Sequence, residues 1–136
     1  MFTDAEIDRI GEAFADRTLD KSEWTHKGHF TAAMWALTRK SDAFAEMPVL
    51  IRAYNVSTGT PNTDQSGYHE TITLASLRCA AEFLRNAQSR AEALTALHAS
   101  RYGCSDWLLE YWTRGRLFSA QARRSWIEPD LKTLPF

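Results

Sequence analysis

The chain has 136 residues, 24% of them charged, with a formal net charge of -1. That length suits one domain able to hide about two thirds of its unfolded surface, and the charge balance offers no basic field for nucleic acid or for an acidic membrane surface. No apolar stretch approaches the roughly 20 residues a membrane-spanning helix needs.

The two cysteines, Cys79 and Cys104, lie far apart with no C-x-x-C spacing. The start MFTDAEIDRI lacks the basic and apolar runs of a signal peptide. Both thiols are therefore expected to be free, in a protein of the cytoplasm.

In chain order, Thr3 and Glu6 have capping-box spacing, with Phe2 placed to pack on Ile7. Ile7, Ile10 and Phe14 then follow at helical intervals. A second helix is predicted from near Ser22, because Asp20 and Ser22 are capping types and Phe30, Ala33, Met34 and Leu37 recur every three or four residues. It should end near Arg39 and Lys40, whose charges suit a helix C-terminus. From Asp42 a third helix presents Phe44, Met47, Leu50, Ile51 and Tyr54, with Pro48 marking either its start or a kink. Val49 to Ile51 also suit a short strand, but no partner strand with an alternating pattern exists.

Ser57 to Gly67, STGTPNTDQSG, reads as the one long polar loop. Its NTDQSG portion, with Asn62 and Thr63, is either a lid or a turn. A helix then follows through Ile72, Leu77, Ala80 and Leu84, with His69 and Glu70 in its first turn. Ser89 and Glu92 box another, through Leu94, Leu97 and His98. Ser105 or Asp106 opens DWLLEYWTRGRLF, Ser119 opens a short helical turn, and EPDLKTLPF is an extended tail. The expected fold is all-α: one compact helical bundle of five to seven helices over residues 1–136. The apolar residues of DWLLEYWTRGRLF fall on too many sides for an exposed helix, which predicts a homodimer contact.

Candidate chemistry concentrates in two segments. In EWTHKGHF, residues three apart share a helix face, so Glu23, His26 and His29 form one polar edge. In GYHET, His69 and Glu70 stand where the polar loop meets a helix. If these two helix starts meet, His26, His29 and His69 give a three-nitrogen metal site. Glu70 or Glu23 is then a fourth ligand or a base for bound water. Two histidines with one carboxylate, as in non-haem iron sites, are a subset of the same residues. The ion is a divalent metal, with zinc, iron, manganese and nickel undistinguished, and the reading is a hydrolase-like enzyme with Glu70 activating water for attack on a small molecule. The alternative, from a different class, is a non-catalytic small-ligand binder in which the histidines and Asn62 hydrogen-bond a ligand beneath aromatics such as Trp24 and Tyr68. His98, late in its helix, reads as a cation supporting the helix dipole.

EWTHKGHF, IRAYN, GTPNTDQSGYHET and IEPDLKTLP together resemble a family of small uncharacterised bacterial proteins. That family is marked by W-T-H-x-x-H, by N-T-x-x-x-G-Y-H-E-T and by a C-terminal E-P-D-L. The likeness runs from Trp24 to Pro135 and implies that Trp24, Thr25, His26, His29, Asn62, Thr63, Tyr68, His69, Glu70 and Thr71 belong to a shared site. It implies no particular chemistry. Pro48 departs from the pattern.

Overall fold

A computed structural model describes residues 2–136. Among these residues there is no strand, and the chain forms seven α-helices joined by three short 3-10 turns. Helix α1, Asp4–Ala15, starts where the Thr3 hydroxyl accepts the Glu6 amide, and it buries Ile7, Ile10 and Phe14. Glu6 pairs with Arg9 rather than reaching back, and Phe2 stacks on His98 at 5.1 Å.

Between α1 and α2 the sequence expectation needs correction. Asp20 caps a separate 3-10 turn, Lys21–Glu23, and α2, His26–Arg39, begins only after Thr25 accepts the Gly28 amide. Two competing caps within six residues divide what periodicity alone reads as one helix. The division removes Glu23 from the polar edge of His26 and His29. Gly28 permits it: a Cβ there would stand 2.1 Å from the Glu23 carbonyl oxygen.

Helix α2 is the central post, packed against α1, α3, α4 and α5. Its residues from Phe30 to Ala36 are all buried, and the small side chains of Ala32, Ala33 and Ala36 let neighbouring helices approach closely. Helix α3, Ala43–Ser57, is capped by Asp42 and runs through Pro48 without a strand at Val49 to Ile51. The proline lies in the second turn, where it removes one backbone hydrogen bond.

Helices α4, Glu70–Arg85, and α5, Arg90–Ala99, are capped by His69 and Ser89. The buried Arg90 ties α5 to α1 and α2, since its guanidinium reaches Asp4 at 2.5 Å, Asp8 at 2.9 Å and the Thr38 hydroxyl at 3.1 Å. Asp8 also takes Arg39. These hydrogen bonds, that of Arg39 foremost, lower its carboxyl to about 2.

The remaining chain wraps back over α4. It holds a 3-10 turn at Trp107–Glu110, then α6, Arg114–Leu117, and α7, Ala120–Arg124. DWLLEYWTRGRLF is thus not one helix, and Asp106 makes no capping bond. Its turns change direction, so Trp107, Leu108, Tyr111, Trp112 and Leu117 all reach the core of their own chain. The apolar excess that predicted a dimer contact is largely consumed within the chain. The tail is pinned by the Trp112 indole donating to the Ile127 carbonyl at 3.1 Å and by Asp130 accepting the Thr113 amide at 2.8 Å. Among the described residues no helix is long and apolar enough to cross a membrane.

Candidate functional site

The N-terminal turns of α2 and α4 border two adjoining pockets, the lobes of one candidate cleft, and His29 and Ile72 line both. The first lobe, about 280 Å³, is walled mainly by Phe30, Trp107, Leu108, Leu117 and Phe118, with His26 at its edge and Asp106 and Arg114 as its charged residues. The second, about 350 Å³, lies among Trp24, Asn55, Tyr68, His69 and Arg123.

His29 is the most available polar group. Its ring rests on Trp24 with centroids 3.9 Å apart, and Trp24 stacks in turn on Phe14 at 4.5 Å, so an aromatic column runs from the core to the cleft floor. The imidazole is open to solvent but surrounded by protein on most sides. That desolvation, with a smaller contribution from His26, lowers its pKa to about 4. It is neutral at pH 7, and no hydrogen bond contributes to its shift, so it offers one donor and one acceptor. His26 differs: its Nε2 lies 2.9 Å from the Tyr102 carbonyl oxygen. A carbonyl only accepts, so Nε2 carries the proton and Nδ1 is left over.

His69 is committed at both nitrogens. Nδ1 accepts the Ile72 amide at 3.2 Å as the cap of α4, and Nε2 donates to the Leu117 carbonyl at 2.6 Å. Burial lowers its pKa, and the Arg123 charge adds to the effect. No lone pair remains for a metal ion. Glu70 accepts the Tyr68 hydroxyl at 2.5 Å. Glu23 faces α1, where Arg9 holds it at 2.8 Å. Among the described residues no three His, Cys, Asp or Glu side chains come together in an arrangement that could hold a metal ion. The structure brings His26, His29 and His69 to the same two lobes, with His69 engaged at both nitrogens.

Asn62 and Thr63 build the loop. The Asn62 side-chain oxygen, Oδ1, accepts the Tyr68 amide at 2.9 Å and the Asn55 side-chain amide at 3.0 Å, while Thr63 Oγ1 accepts the amides of Gln65 and Ser66. They form a turn beside the second lobe rather than its floor. Asn55 and Arg123 do line that lobe, and sequence reasoning missed both. IRAYN held the signal for Asn55; Arg123 arrives on a helix five residues long, more than fifty positions downstream.

Gly67 adopts φ 79°, and a Cβ there would lie 2.5 Å from the Pro61 oxygen and 2.7 Å from Asn62 Oδ1. Gly67→Ala is expected to cost about 1 to 3 kcal/mol and to displace Tyr68. A melting temperature equal to that of the unchanged protein would contradict this.

Three histidines have lowered pKa values, with His29 and His98 both at about 4 against an ordinary 6.5. His98 is not a dipole-supporting cation. It is half-buried between Phe2 and Phe30, and its Nε2 lacks a partner among the described residues. Well above pH 6.5 these rings are neutral both folded and unfolded. Between 6.5 and 4 the unfolded chain binds protons that the folded chain refuses, so stability falls as pH falls through that window. Urea midpoints at pH 7.0, 5.5 and 4.5 should decline, and His98→Gln should flatten the slope.

Compared with protein-family models, with curated proteins and with solved structures, the chain finds no match.

Proposed function

We propose that this protein binds a small molecule in the two-lobed cleft, with His29 as its principal hydrogen-bonding group. One observation carries the reading: a neutral imidazole without a hydrogen-bond partner among the described residues is held against Trp24 between two concave lobes. Binding sites combine apolar and aromatic walls with a few placed polar groups, and the cleft has that composition. A metal-dependent hydrolase is the weaker reading, because with His69 used as a cap only His26 and His29 are left to ligate. A cytoplasmic setting fits two unpaired thiols.

The test is a thermal-shift screen of small metabolites on the unchanged protein, on Ile72→Trp, which fills the ridge between the lobes, and on His29→Ala. Ligand-induced shifts should vanish in Ile72→Trp, shrink in His29→Ala, and persist in the presence of a chelator. Shifts unchanged in both variants would place binding elsewhere. A fall in the melting temperature on adding chelator alone would restore the metal reading.

A further inference from the structure

The two lobes differ in electrical character. Among the described residues lining the second lobe, Arg123 is the only charged one. Its Nη1 donates to the Gly67 carbonyl at 3.1 Å and more distantly to the Tyr68 carbonyl. Among the described residues no carboxylate partners it, whereas Arg124, its neighbour, is paired with Asp64. A guanidinium held only by backbone carbonyls keeps its full charge and retains donors at Nε and Nη2. The neighbouring groups Asn55, His29, Thr60 and Thr73 add neutral polarity, and no lining acid would welcome a cation. Across the ridge, the first lobe is mostly apolar.

Resting on the reading that the cleft binds a small molecule, we infer that its ligand is an amphipathic monocarboxylate. Its carboxylate pairs with Arg123, and its apolar body crosses Ile72 to lie against Phe30, Leu108 and Leu117. The planar fork of a guanidinium matches a carboxylate in two parallel hydrogen bonds. One cation also balances one negative charge. A phosphate monoester would bring a second charge into a lobe whose lining holds no second cation, since Arg52, 4.1 Å from the Tyr68 ring, and Lys21, 3.4 Å from the Thr60 hydroxyl, stand outside that lining, and an unmatched charge there is costly. The neutral His29 does not supply that second cation at pH 7.

Calorimetric titration of the whole chain tests this with 3-phenylpropanoate, its amide 3-phenylpropanamide, propanoate and inorganic phosphate. The acid should bind about ten-fold or more tightly than the amide, a difference of about 1.4 kcal/mol or more. Propanoate and phosphate should both bind more weakly than 3-phenylpropanoate. Arg123→Gln should abolish the preference for acid over amide, and Arg123→Lys should keep part of it. Because Arg123 also supports the loop at Gly67, a second variant leaves it intact: Thr60→Asp, made together with Lys21→Gln because the Lys21 ammonium donates to the Thr60 hydroxyl at 3.4 Å, sets a like charge in the lobe and should weaken the acid while sparing the amide. Equal binding of acid and amide overturns the inference, as does a preference that survives both Arg123→Gln and Thr60→Asp with Lys21→Gln, or no binding of 3-phenylpropanoate. If acid and amide bind equally and Ile72→Trp abolishes both, the cleft reading stands and only the carboxylate assignment falls. If Ile72→Trp affects neither, both fall.

Discussion

Replacing His69 by alanine is expected to lower the unfolding free energy by about 2 to 4 kcal/mol, whether or not a chelator is present. Two losses add. The Ile72 amide loses its cap, worth about 1 kcal/mol, and the Leu117 carbonyl is left buried without its donor, worth about 1 to 3 kcal/mol. His69→Asn restores a cap but cannot reach Leu117, so it should recover part of the loss. Urea denaturation of the three proteins measures the series. A metal-ligand role predicts a different pattern, in which the alanine variant matches the unchanged protein once metal is stripped from both.

The second large effect is expected two residues on. Thr71 is fully buried, and its single hydroxyl proton is shared between the carbonyls of Ala122 at 2.8 Å and Ser125 at 2.9 Å while the oxygen accepts the Ile127 amide at 3.2 Å. Valine has nearly the same shape but neither donates nor accepts. Thr71→Val strands three backbone groups for a cost of about 2 to 4 kcal/mol, each worth less than a fully enclosed group because water can reach Ser125. Thr71→Ser keeps the hydroxyl and loses one methyl, worth about 0.8 kcal/mol. Arg123 follows Ala122 directly, so Thr71→Val should also erode the preference for acid over amide in calorimetry. If valine and serine proved equally mild, the hydroxyl would not be the tie.

These two positions change what GYHET means. Read as sequence, it is a polar cluster at a helix start, and histidine beside glutamate suggests ligands. In the fold it is a splice: Gly67 makes the left-handed turn, Tyr68 clasps Glu70, His69 holds α6 and Thr71 holds α7 with the tail. The partners of His69 and Thr71 lie about fifty residues away and are backbone carbonyls and one backbone amide, which leave no trace in the amino-acid code. Histidine as a helix cap is rarer than serine or aspartate, and so the more familiar metal chemistry was the reading that sequence favoured.

Elsewhere local chemistry was enough. Thr3, Asp42, Ser89 and Ser119 cap the helices that their side-chain types announce, and α2 ends at Arg39 as the basic residues suggest. The failures share one cause. The break between Glu23 and His26, the dissolution of DWLLEYWTRGRLF into turns, and the neutral His98 under Phe2 and Phe30 all depend on neighbours distant in sequence. Of the predicted site residues, Trp24, His26, His29, Tyr68 and His69 do line the cleft. Glu23, Asn62, Thr63 and Glu70 are absorbed by ion pairing, loop building and the Tyr68 clasp.

The two cysteines, unlike in exposure, make the cleft easy to instrument. Cys79 is wholly buried, and desolvation pushes its thiol up to about 12, which suppresses the reactive thiolate. Cys104 is exposed and stands one residue before Ser105, on the wall of the first lobe. A maleimide dye will therefore attach at one position without mutagenesis, beside the mouth through which an apolar body would pass, and its emission will report occupancy in the unmodified sequence.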